Sequence, residues 1–285
     1  MIRRHSPGRE AVRVLMGDRF AVVGILVIAS YAFVALLSAF HLLPWDYAAR
    51  VGPSYVAPNP TYWLGTDLLG RNVWAKVLHG AEVAFSVGLV ASVIAIPIGA
   101  VLGALAGYFG GRWDELVVWL YSTVESIPSI LLLTSLSFVL GRGLTAIYVA
   151  VGLTSWVGIC RLIRSETLKL KERDYVVAAR AMGARHRRLL FRHIFPNVTH
   201  LLIIDFSLRF IYAIKSEAIL SYLGLGVQGE PSWGIMIADA KEELLRGIWW
   251  QLVAATGAMF FIVLALNIVG DSLRDALDPR LHEQA

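Results

Sequence analysis

The 285-residue chain is 57% hydrophobic and only 16% charged, against about 45–50% apolar and about 25% charged in soluble domains, which excludes an ordinary water-soluble enzyme. Its formal charge of +5 does not signal nucleic acid, because the basic residues collect between apolar runs instead of forming an aromatic-interleaved patch. A lone cysteine, Cys160, excludes an internal disulfide, a CxxC redox pair and a multi-cysteine metal centre.

A hydrocarbon core about 30 Å thick takes roughly 20 apolar residues as helix, since only helices and closed barrels satisfy their own backbone in lipid. Runs of that kind predict an all-α protein with six membrane-spanning helices. A charged tail (1–19) precedes a first span over 20–40, longer than the about 7–15 apolar residues of a signal peptide and so read as retained. Residues 41–82, rich in proline and tryptophan, form a loop that ends in an interfacial helix near 73–79. A core over 83–270 then holds spans at 83–109, 116–140, 144–160, 195–226 and 248–270, and a tail (271–285) closes the chain. Gly99, Gly103 and Gly107 repeat at intervals of four and set small residues on one helix face, which favours close helix packing. Pro97 and Pro128 predict bends within the second and third spans. A polar loop over 227–247 carries a helix near 235–245, expected to lie flat on the surface.

Eighteen Lys and Arg fall in the tails and in the segments after spans two and four, six fall in the alternate segments, and Arg209 and Lys215 lie within the fifth span. The positive-inside bias therefore predicts both termini on the cytoplasmic side. Intramembrane charge is costly, about 2.5–3.5 kcal/mol per residue on insertion scales, so Glu125, Asp205, Arg209, Lys215 and Glu217 are candidates for a translocation path. Each also has a packing explanation; Asp205 and Arg209, four apart, can pair on one helix face.

The loop over 161–195 carries the most informative segment, DYVVAARAMGARHRRLLFRHIFPN, residues 174–197. Gly183 divides it into two stretches of good helix formers, and Pro196 is expected to stop the second. A bent two-helix elbow follows. Ala178, Ala179 and Ala181 are small enough for close docking, and the basic second arm offers charge to a partner or to anionic lipid; an amphipathic helix resting on the membrane has the same pattern.

This segment resembles the cytoplasmic loop of the permease subunits of ATP-binding-cassette importers, which runs Glu-Ala-Ala, three residues, Gly, nine residues, Ile-x-Leu-Pro. Here Val177-Ala178-Ala179 and Gly183 keep the spacing to His193-Ile194-Phe195-Pro196, with Val177 standing where the family has Glu. Three further blocks are similar to the C-type permease of the dipeptide, oligopeptide and nickel branch. They are Gly65-Thr66-Asp67 with Gly70-Arg71-Asn72, Leu220 to Gln228 followed by Pro231-Ser232-Trp233-Gly234, and Gly270 to Arg280.

The resemblance implies a MetI-like fold in the inner membrane and a permease that couples to a separate ATPase through Asp174, Tyr175, Val177, Ala178, Ala179, Arg180, Ala181, Gly183, Ala184, Arg185 and Pro196. It implies a homologous B-type permease, two ATPase subunits, an extracytoplasmic binding protein and membrane lipid as partners, with di- or oligopeptides as cargo and nickel or another small solute as the alternative. No catalytic residue, metal site or cofactor is expected on this chain. It lacks the Gly-x-x-x-x-Gly-Lys-Ser/Thr phosphate loop, and ATP with magnesium belongs to the partner ATPase. The competing classes are a secondary transporter relaying protons through Glu125, Asp205 and Glu217, and an intramembrane enzyme.

Overall fold

The computed structural model describes residues 15–277; the distal parts of both tails, Arg280 of the last block among them, lie outside. Among the described residues the structure is helical. Five stretches are long and apolar enough to cross a membrane, and a sixth is a bent pair. α1 (Arg19–Ala39) starts on Asp18, whose carboxylate accepts the Phe20 amide at 2.9 Å. Its 21 residues extend about 31 Å at 1.5 Å per residue, one hydrocarbon thickness.

α2 (Val73–Phe109) runs for 37 residues. The expected interfacial helix near 73–79 is the first two turns of this helix, not a separate element. Nothing between His79 and Val83 breaks the helix, and Asn72 caps it by accepting the Trp74 amide at 3.0 Å. The third span consists of α3 (Gly111–Glu125) and α4 (Ser129–Val139), bent by 88° at the break. Pro128 sits at the head of α4, where its fixed φ and missing donor cost least.

α5 (Leu144–Thr154) and α6 (Trp156–Leu170) make the fourth span, interrupted at Ser155 and running ten residues beyond the expected end at Cys160. α7 (Asp174–Ala181) and α8 (His186–Leu189) are the arms of the elbow. A π-helical stretch (Leu190–Ile194) then feeds directly into α9 (Phe195–Tyr222). Pro196 therefore does not stop the second arm. It lies in the first turn of α9, and the widened π turn before it relieves the amide-to-carbonyl ladder that a proline would break. α10 (Trp233–Leu244) lies in the loop before α11 (Trp250–Leu277).

Pair contacts fix which ends lie together. Ser38 at the end of α1 donates to Glu82 of α2 at 2.6 Å, so these two helices are antiparallel. Ser272 of α11 donates to Asp18 at 2.6 Å, and Tyr108 at the end of α2 bonds His186 of the elbow at 2.8 Å. Both ends of the described chain thus sit at the elbow end of the bundle, as six crossings require.

The glycine seam is the tightest contact in this half. A Cβ built on Gly99 would lie 2.6 Å from the Trp156 carbonyl oxygen, one on Gly107 would lie 2.7 Å from that of Arg164, and one on Gly103 would press on that of Cys160. Three successive turns of α2 therefore rest on three successive turns of α6, backbone against backbone. Asp114 of α3 is clamped to the same helix by Arg164, whose Nε and Nη2 donate at 2.5 and 2.6 Å.

Candidate functional site: the elbow and the charged groups of the bundle

The elbow is built by local rules. Asp174 opens α7, where a carboxylate suits the positive end of the helix dipole. Gly183 ends it with φ +83, its amide bonding the Arg180 carbonyl at 3.0 Å while Ala184 bonds that of Ala179 at 3.1 Å. This left-handed turn favours glycine, and it reverses the chain into the second arm.

Packing then sorts the residues of the elbow. Val176 and Ala179 are buried with Leu189, Ile194 and Tyr108 in a small core of their own. The opposite face of the first arm is open: Asp174, Tyr175, Val177, Ala178, Arg180, Ala181 and Gly183 are exposed, and Met182 at the tip is 82% exposed. On the second arm Arg185 and Pro196 are exposed and Ala184 is half-buried. Ala179, expected to face a docking partner, therefore acts from inside by holding the two arms together. Two contributors escape the sequence pattern. Met182 reads as one more helix former until the turn places it at the apex, and the Tyr108–His186 bond joins residues 78 apart in sequence.

The intramembrane charges separate by environment. Arg209 donates to Asp205 at 2.9 Å and to the Ser155 carbonyl at 2.8 Å, and it occupies the space where a Cβ on Gly158 would stand. The pair thereby satisfies a carbonyl freed by the break between α5 and α6, which lipid would leave unpartnered. Glu217 is 3% exposed and accepts from Ser221 at 2.6 Å. Glu125 and Lys215 are open. Glu125 is ion-paired with Arg161 of α6, whose guanidinium lies 5.2 Å from the Tyr121 ring centroid, a cation–π distance.

At the opposite end of the bundle a buried polar node ties the long loop to α10 and α11. Asp67 accepts the amides of Leu69 and Arg71 at 2.9 Å each, Arg71 Nε at 3.0 Å and Lys76 Nζ at 3.2 Å. Burial pushes its carboxyl upward, but the Arg71 amide and the two cations outweigh that and hold it below the usual range. Lys76 also donates to Gln251 at 2.9 Å, and Trp250 donates to the Thr66 carbonyl at 3.0 Å. Glu243 is 3% exposed with Oε2 unbonded, and burial pushes its carboxyl up to about 7. The Gly65-Thr66-Asp67 block is thus the clamp that fastens the loop to the last span. Among the described residues no three His, Cys, Asp or Glu side chains converge as a metal-binding set.

This architecture has known counterparts. The chain is 34% identical over 277 residues to the oligopeptide transport system permease protein OppC of Bacillus subtilis, covering 96% of this chain and 90% of that protein. It is 35% identical to the dipeptide transport system permease protein DppC of Alkalihalophilus pseudofirmus, covering 97% and 91%. To the glutathione transport system permease protein GsiD of Pectobacterium atrosepticum it is 34% identical, covering 97% and 92%. Its fold resembles a chain of the inward-facing MetNI methionine ABC transporter, with a TM-score of 0.55 at 20% identity over 77% of this chain and 99% of that one. Residues 99–283 match the binding-protein-dependent transport system inner membrane component, and together with the full-length relatives this match makes the chain a member of that permease family.

Proposed function

We propose that this chain is one of two permease subunits of an ATP-driven importer of di- or oligopeptides, placed in the cytoplasmic membrane with the elbow and both tails inside. A homologous B-type permease supplies the other half of the pathway, two ATPase subunits bind and hydrolyse ATP with magnesium, and an extracytoplasmic binding protein delivers the cargo. The observation that carries the reading is the two-sided elbow. Its inner face is packed on Tyr108, Leu189 and Ile194, while Tyr175, Val177, Ala178, Ala181 and Met182 are open. Force applied to the open face passes through the Tyr108–His186 bond into α2, then across the glycine seam into α6.

The relatives named for oligopeptides, dipeptides and glutathione support peptidic cargo. The accessible charges, the Glu125–Arg161 pair and Lys215, offer both signs to a ligand charged at both termini. A proton relay through Glu125, Asp205 and Glu217 is poorly served. Asp205 is already ion-paired with Arg209, and Glu217 lies twelve residues further along α9, about 18 Å at helical rise.

The test is a Met182→Cys variant, cross-linked in membranes and purified in mild detergent. The expected product joins this chain to an ATPase subunit, and the co-purified binding protein carries a peptide. A cross-link only to lipid, or uptake that persists without the ATPase subunits, overturns the proposal.

A further inference from the structure

The second arm carries a feature that force transmission does not use. From residue 175 to 204 there is no carboxylate, while Arg180, Arg185, Arg187, Arg188 and Arg192 all fall in this stretch. Four of these guanidiniums, with Phe191 and Pro196, surround an open hollow of about 550 Å³. Among the described residues none of the four is ion-paired, although other arginines of this chain find carboxylates. Phe191 is 66% exposed among them, an apolar ring with no internal partner large enough to cover it.

The depth of the hollow follows from its neighbours. Phe109 ends the uncharged apolar run of α2, and its ring centroid lies 5.8 Å from that of His186, the first residue of the second arm. The arm therefore begins level with the end of an apolar span, where hydrocarbon gives way to headgroups. It continues without interruption into α9, a 37-residue helical stretch from His186 to Tyr222, so the arginines stand at the foot of a membrane span. Guanidinium forks match phosphate oxygens in pairs, and aromatic rings beside basic residues suit the interfacial layer.

We propose that Arg187, Arg188 and Arg192, with Arg185 at the rim, form a headgroup site for an anionic phospholipid, Phe191 and Pro196 lying against its glycerol and upper acyl segments. The alternative occupant, an acidic protein surface, fits less well. The open face of the first arm, where a motor subunit is proposed to seat, is small and apolar at Val177, Ala178, Ala181 and Met182, whereas the arginines lie on the arm joined to the membrane helix. A bound lipid neutralises the cluster and fixes the arm at the membrane surface, giving the elbow a fulcrum. Which leaflet supplies the lipid rests on the orientation proposed above; the site itself does not.

The full chain, purified in mild detergent without partner subunits, is titrated with phosphatidylglycerol or phosphatidylcholine, and retained lipid is counted by native mass spectrometry. Phosphatidylglycerol is expected to be preferred, with affinity falling about fivefold for each arginine replaced by glutamine. The triple variant Arg187→Gln/Arg188→Gln/Arg192→Gln should therefore lose the preference. The corresponding triple lysine variant keeps the charge and most of the preference, which separates lost binding from lost folding. Equal retention of the two lipids overturns the proposal. So does displacement of phosphatidylglycerol by millimolar inorganic phosphate, which marks a free-anion site. Protection of these arginines from phenylglyoxal by added ATPase subunits, but not by phosphatidylglycerol vesicles, assigns the arm to protein docking and also overturns it. Because no readout involves transport, the lipid site and the importer reading fail independently.

Discussion

Burial gives individual side chains roles that residue type alone does not specify. Glu243 shows this most sharply, lying between Lys76, which favours its charged form, and Asp239 and Asp67, which oppose it, with burial the largest influence. Its folded value of about 7 exceeds the ordinary 4.5, so between those values the folded protein holds a proton that the unfolded chain has released. Stability contributed at this site is complete below about 4.5 and is lost as pH rises to about 7. Glu243→Gln, which removes the titration, is therefore expected to raise Tm above pH 8 relative to the parent and to leave it nearly unchanged near pH 5, read by thermal unfolding in detergent across that range. An equal effect at both pH values would show that Glu243 does not titrate in the native state. The same logic of enclosure explains why Asp205 and Arg209, chemically suited to a pathway, serve the broken fourth span instead.

Among the helices, close approach decides which pairs move together. In lipid no hydrophobic drive pushes one helix onto another, so association depends on packing and polar contacts. The seam between α2 and α6 is the clearest case, since three glycines each meet a carbonyl oxygen at distances no Cβ tolerates. Gly103→Val is expected to destabilise the folded chain by about 1–3 kcal/mol, the usual cost of overpacking, and to loosen the route from elbow to bundle. Thermal unfolding and peptide uptake should fall together. Normal stability with normal uptake would mean that the helices separate here without consequence. The recurrence of glycine at every fourth position was readable in the sequence as a packing face, but its partner was not, because a helix face does not name the helix that meets it.

For the molecule as a lever, the requirement is a stiff connection between a gripping surface and the spans. Gly183→Pro removes the positive φ and the amide that bonds Arg180, so the arms should part. Transport is expected to vanish while membrane insertion persists, measured by uptake and by membrane fractionation. Val177→Glu, on the exposed face of α7, is expected to keep assembly and transport, because family members place a carboxylate there. Loss of the complex in that variant would show that the face docks differently.

The number of spans, their order and the elbow with its glycine could be read from residue order, because in lipid each crossing must satisfy its own backbone and announces itself as an uninterrupted apolar run. The bend at Gly183 was legible for a related reason: a left-handed turn needs a particular residue. Ala179 and Ala178 look alike in the sequence, yet one is buried and the other open. Likewise Pro196 promised a helix end and instead lies in the first turn of α9. The fates of Glu125 and Asp205 were also undecided until their neighbours were in place. These outcomes depend on side chains brought together from distant parts of the chain, as with Tyr108 and His186, and such meetings arise from packing, which leaves no local signature.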